Sequence, residues 1–227
     1  MALILCVETS SKNCSVAISK DGIVQFKKEK CEEHYCHGEQ LHALIDNLIA
    51  DSKMSLSQID AIAFSVGPGS YTGLRIGAAA VKGLGIALNK KVLLVSTLHS
   101  MFWGVVNHHN DDLIDCYNYF CSTLDSRQGE VYAAVYETSG KEVFPPFACE
   151  VKKDLFLNIL NKNKMCFFGT GMYKIQNTIT HKNASFLETV TPSSSYLGFL
   201  AEQSYNDKKF ADIAYFEPMY LKDFISN

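Results

Sequence analysis

Residues 61–85, AIAFSVGPGSYTGLRIGAAAVKGLG, constrain the fold more than any other stretch of this chain. Residues 61–66 form a continuous apolar run of strand length, Gly67-Pro68-Gly69-Ser70 is a sharp loop, and residues 72–88 carry helical spacing. The predicted helix is crowded with small side chains: Gly77, Ala78, Ala79, Ala80, Gly83, Gly85 and Ala87. Each glycine inside a helix costs about 1 kcal/mol relative to alanine, so another surface must approach this helix closely. Arg75 falls in its first turn, where the helix dipole disfavours a cation, so the guanidinium wants a partner. A buried strand entering a helix through a glycine loop belongs to the α/β class.

The flanking sequence extends this pattern. Residues 3–7, 14–19 and 23–28 read as strands, the last two joined by the turn signal Asp21-Gly22. From His37 the spacing becomes helical, with Leu41, Leu44, Ile45 and Leu48 on one face. A strand over 91–96 and a helix over 97–106 complete a first lobe, residues 1–106. The polar run Asn107-His108-His109-Asn110-Asp111-Asp112 marks a boundary. Residues 107–227 then read as a smaller, degenerate second lobe, with its C-terminal tail free to return to the first. Its strands are predicted at 117–124, 130–136 and 165–169, and its helices at 152–161 and 193–205.

Bulk properties exclude several classes. The 227 residues carry a formal net charge of −3 and a sequence pI of about 6.2, without the basic stripe of a protein that holds RNA unaided, so any RNA contact must be local or shared. Eight cysteines without a secretory start point to free thiols and a cytoplasmic protein. No run of about 18 apolar residues suggests a membrane span.

Candidate chemistry is sparse. Glu8-Thr9-Ser10-Ser11 ends the first strand with a carboxylate and hydroxyls, either a polar strand end or a phosphate-approaching hairpin. Gly169-Thr170-Gly171 is either a helix-entry turn or a second phosphate loop. Cys31, His34, Cys36, His37 and His42 crowd a dozen residues, but no C-x-x-C pair is present and the histidines sit poorly for convergence on one zinc. His108 is followed four residues later by Asp112, and His109 by Leu113, so neither makes a His-x-x-x-His pair. Asp125-Ser126-Arg127-Gln128-Gly129-Glu130 reads as a solvated turn, or as a partner contact or an element of lobe closure. No G-x-S-x-G or H-E-x-x-H motif occurs.

Two segments carry a resemblance. ILCVETSSKNCSVAI, from Ile4 to Ile18, resembles the opening hairpin of actin/hexokinase/Hsp70-like (ASKHA) folds, with Glu8 where Asp is usual and without the phosphate-wrapping glycines. GPGSYTGLRIG, from Gly67 to Gly77, resembles the signature of the TsaB (YeaZ) family. HGEQLHALIDNLI, VSTLHSM, LDSRQGEVY, FFGTG and EPMYLKD agree with that family in order. The resemblance implies a two-lobed α/β ASKHA fold and a non-catalytic paralogue of TsaD that supports it within the complex transferring threonylcarbamoyl to a tRNA adenosine. It further implies a third component, the ATPase TsaE, and tRNA engaged only through the complex; apolar surface left exposed on the partner helices predicts in addition a homodimer when the partner is absent. No metal or tightly bound cofactor is expected, and ATP or ADP would belong to the interface of the complex. The expected partner face comprises His37, Leu41, Leu44, Ile45, Leu48, Arg75, Ala78, Ala79 and Lys82, although periodicity alone equally allows both helices merely to cover their own sheet. Glu8, Thr9, Ser10, Gly67, Gly69, Gly169 and Gly171 would form a vestigial nucleotide loop. The alternative from a different class is an independent nucleotide-dependent enzyme of the actin-like fold.

Overall fold

A computed structural model describes residues 2–32, 36–108, 114–188 and 190–222. The chain forms two compact units, Met1–Ser100 with Pro192–Met219, and Met101–Thr191 with Tyr220–Asn227.

The first unit begins with the antiparallel meander β1 (Leu3–Glu8), β2 (Asn13–Lys20) and β3 (Ile23–Cys31). Helix α1 (His37–Ser52) leads to β4 (Ala61–Gly67), α2 (Tyr71–Ala87) and β5 (Lys91–Ser96). The sheet order is β3-β2-β1-β4-β5, with β1, β4 and β5 parallel. Every residue of β4 is buried, as a parallel strand covered on both faces requires. Leu5, Val7, Val16, Ile18, Ile62 and Phe64 share a core with Leu41, Ile45 and Leu48 of α1 and Leu74 and Val81 of α2. Burying each such side chain stabilises the unit by roughly 1.5–3 kcal/mol.

Strand alternation sends Asn13 and Ser15 to the opposite face, where the segment from Pro192 onward returns. Asn13 Nδ2 donates to the Pro192 carbonyl at 3.0 Å, Ser193 Oγ donates to Glu29 Oε2 at 3.0 Å, and Ser15 Oγ lies 2.7 Å from Ser194 Oγ. These contacts hold residues 192–196 against β2, so the final helix starts at Gly198 rather than at 193 and runs to Asn206.

Helix α3 (Thr97–His108) contains the division between the units, which falls after Ser100. The second unit holds β6 (Tyr119–Asp125), β7 (Glu130–Glu137), β8 (Glu142–Glu150), α4 (Leu157–Leu160), β9 (Met165–Phe168), α5 (Met172–Gln176) and β10 (Ala184–Leu187). Its order, β10-β9-β6-β7-β8, is the first unit's topology again: a three-strand meander whose opening strand also pairs in parallel with one later strand, onto which a second adds in parallel. The chain is therefore built from two mixed α/β sheets of like connectivity. The helix at 198–206 becomes α6 in chain order.

Three elements escape sequence reading. β8 contains Pro145 and Pro146, which argue against a strand, yet it is an edge strand and its pairing with β7 shifts register around Ala134, where prolines are tolerated. α5 and β10 are too short to show a period. The helix predicted over 152–161 shrinks to α4, because Phe156 takes a left-handed backbone (φ 62°) immediately before it.

Candidate functional site

The hairpin after β1 and the start of α2 form one packed assembly. Glu8 and Thr9 are fully buried and Ser10 nearly so. Glu8 Oε1 accepts the Ser10 amide at 2.5 Å, and removal from water raises the Glu8 pKa above its ordinary value. The Ser70 amide donates to the Ser10 carbonyl at 2.7 Å, which brings the glycine loop down onto the hairpin. Ser70 Oγ in turn accepts the Gly73 amide at 3.2 Å, so Ser70 caps α2.

The glycines at 69, 73 and 77 lie on one stripe, and each is explained by a close neighbour. A Cβ at Gly69 would lie 2.6 Å from Ser10 Cβ. One at Gly73 would overlap the Thr9 carbonyl and sit 2.9 Å from His37 Cδ2. One at Gly77 would overlap Thr9 Oγ1 and sit 2.6 Å from Phe64 Cε2. Gly85 belongs to the same class, with Val92 Cγ2 and Ile213 Cδ1 each 3.2 Å from its would-be Cβ. Thus the surface that the small residues of α2 demand is, at these positions, supplied by the chain itself. Gly83 is different, having nothing within 4 Å.

The residues expected at a partner face divide accordingly. His37 is buried, and its Nε2 donates to the Ser11 carbonyl at 2.7 Å; burial lowers its pKa and favours the neutral ring. Leu41, Ile45 and Leu48 are 0–2% exposed within the unit's own core, and Ala78 is also buried. These five are packed within the unit itself, the apolar stripe of α1 lying over β2 and β3 and Ala78 of α2 joining the same core. Leu44 is half-buried at the stripe's margin. Arg75 and Ala79 are exposed on the outer side of α2, where Gly83 and Ile86 continue the same face and Ile86 is 70% exposed. Arg75 stacks over the Tyr71 ring, 4.0 Å from its centroid, one helical turn away. Lys82 donates to the Ala214 carbonyl at 3.2 Å and lies over Phe216, fastening the returning segment along α2. In the sequence Gly83 counts only as one small residue among several and Ile86 gives no signal of its own; the exposed side of the same helical period joins them.

In the second unit, Gly169 (φ 99°) and Gly171 pack on β6, where a Cβ would meet the Thr123 carbonyl and the Leu124 backbone respectively. Thr170 Oγ1 accepts the Asp125 amide at 3.0 Å. The Gly-Thr-Gly turn therefore supports the end of β6. Gly67 (φ 116°) lies beside Met219, whose amide donates to the Val66 carbonyl at 2.7 Å.

Among the described residues no group of three or more His, Cys, Asp or Glu side chains is placed to hold a metal, and no helix is long and apolar enough to cross a membrane. Cys31 and His42 are exposed and Cys36 is buried ahead of α1; His34, the His108 side chain and residues 109–113 lie outside the described residues.

Comparison with known proteins is consistent across nearly the whole chain. The family model described as TsaD, tRNA N6-adenosine threonylcarbamoyltransferase, matches residues 31–224. A tRNA threonylcarbamoyladenosine biosynthesis protein TsaB from Haemophilus influenzae is 27% identical over 231 residues, covering 97% of this chain and 93% of that one. The structure of YeaZ from Pseudomonas aeruginosa superposes with a TM-score of 0.81 at 24% identity, covering 97% of this chain and all of the other. An activator of 2-hydroxyisocaproyl-CoA dehydratase from Clostridium difficile, solved with bound ADPNP, shares the fold at a TM-score of 0.50, 8% identity and 91% coverage of this chain.

Proposed function

We propose, from the premise that this chain belongs to the TsaD family of tRNA threonylcarbamoyladenosine biosynthesis proteins and matches its TsaB members over their length, that it is the non-catalytic, activating subunit of the transferase. A role in threonylcarbamoyladenosine biosynthesis follows from membership; the division of labour is our reading.

The observation that carries it is the outer side of α2. Arg75, Ala79, Gly83 and Ile86 form an exposed face in which two small residues sit between a cation and a large aliphatic side chain. Gly83 retains its helix cost with no internal neighbour to account for it. A helix from a second subunit can approach such a face closely, and Leu44 at the margin of α1 would widen it. We assign this face to the TsaD-type paralogue and, when that partner is absent, to a second copy of the chain. The seven histidines support the non-catalytic part, since none is followed four residues later by another, the pairing that the catalytic relative's resemblance to a metalloenzyme implies. On this reading the TsaE-type ATPase, the tRNA and any ATP or ADP are engaged through the assembled complex.

Reconstitution tests it: threonylcarbamoyl transfer to tRNA with the paralogue and the ATPase, with this chain present, omitted, or carrying Ala79→Arg. Transfer should require the chain and fall with the variant, while the chain alone stays inert. Unchanged transfer on omission would refute the reading, and ATP turnover by the isolated chain would favour an independent nucleotide enzyme.

A further inference from the structure

The turn between β6 and β7 is exposed yet held from several sides. Lys174 on α5 places its ammonium 2.5 Å from Asp125 Oδ1 and donates to the carbonyls of Ser126 (3.4 Å), Arg127 (2.7 Å) and Glu130 (3.0 Å). Thr170 accepts the Asp125 amide, Val151 donates to the Gly129 carbonyl at 2.9 Å, and Lys222 pairs with Glu130. Exposed turn tips ordinarily fray. Here one ammonium shares its three donors among a carboxylate and three carbonyls, fixing the backbone from which the exposed Arg127 and Gln128 project.

Both acidic side chains flanking the tip are paired with lysines, so each pair is close to neutral and Arg127 gives the turn its net positive charge. Two exposed aromatic rings adjoin these lysines in sequence: Tyr173 (50% exposed) beside Lys174, and Tyr220 (38%) two residues before Lys222. A guanidinium on a rigid turn suits bidentate contact with phosphate, and exposed tyrosines beside cations suit stacking by an unpaired base. An acidic protein segment would use the cations but has no call on the rings.

We infer that the Asp125–Glu130 turn, with Tyr173 and Lys222, is a pre-formed contact for the RNA backbone, and that Lys174 is its positioning residue. The inference rests on the proposed membership of a tRNA-modifying complex. It also reconciles an acidic chain with an RNA substrate, because the contact is local.

The test is titration of the complete complex with tRNA at several salt concentrations, alongside transfer kinetics. Arg127→Ala should weaken tRNA binding about tenfold, reduce the slope of log Kd against log salt by about one, and raise KM with kcat unchanged. Arg127→Lys should keep the salt slope. Lys174→Met should weaken binding comparably although Arg127 is intact, with faster amide exchange at Arg127–Glu130. Wild-type tRNA affinity in Arg127→Ala, or a loss traced to weaker subunit pairing measured without RNA, would overturn the inference while leaving the activating role standing. Transfer that proceeds unchanged without this chain would instead remove the reading beneath it.

Discussion

Glu8 sits in a dry environment at the end of β1, and its proton is coupled to folding. Burial holds its pKa above the ordinary 4.5, so the folded protein keeps a proton that the unfolded chain releases. The associated stability is complete below about pH 4.5 and is lost as pH rises through the elevated folded pKa. Glu8→Gln preserves the shape without the titration. Urea denaturation of both proteins at pH 5 and pH 8 should show the wild type losing more stability than the variant between the two, and parallel losses would contradict a protonated Glu8. The glycines offer a sharper contrast at the same scale. Gly77→Ala drives a methyl into Thr9 and Phe64 and should destabilise by about 1–3 kcal/mol or more, whereas Gly83→Ala meets nothing and should stabilise by about 1 kcal/mol. Thermal melts of the isolated chain would separate them, and equal effects would mean that α2 does not lie against the hairpin as described.

At the scale of elements, α1 and α2 each have an inner and an outer side, and their sequences announce only the inner one. The stripe Leu41, Ile45 and Leu48 is legible as periodicity, but periodicity marks burial without saying against what; here it is the helix's own sheet. Leu41→Ala should therefore cost about 2–5 kcal/mol of unfolding free energy in the isolated chain, as any core truncation does. A protein of wild-type stability that failed only in pairing would return Leu41 to the interface. The outer side of α2 is hard to read because its content is small residues, which leave no apolar signal. The meander, β4, α2 and β5 are legible since each is long or bounded by a clear turn. β8 hides behind Pro145-Pro146, and α5, at five residues, hides because its main work is done by one lysine reaching a turn 44 to 48 residues earlier in the chain.

Across the whole molecule, the eight cysteines behave as two populations. Cys6, Cys14 and Cys166 are buried and their thiols are pushed up to about 12, with Cys149 at about 11, so they hold little thiolate at neutral pH. Cys31 and Cys116 are exposed. Native alkylation followed by mass mapping should modify Cys31 and Cys116 first and leave the buried thiols until the protein is denatured; early labelling of Cys6 or Cys121 would show that the sheets open far more readily than their packing implies. The duplication of strand order was only faintly visible in the sequence, since the second unit has lost the long helices and glycine runs that make the first one plain. The first unit is also discontinuous along the chain. Asn13, Ser15 and Glu29 bond one another, and each also has a partner in residues 192–194. During synthesis, then, the half that is started first must wait for Pro192–Met219 before its sheet is covered, and the second must wait longer still for Lys222, the partner of Glu130, so neither unit is finished by its own continuous stretch and the two are completed almost together.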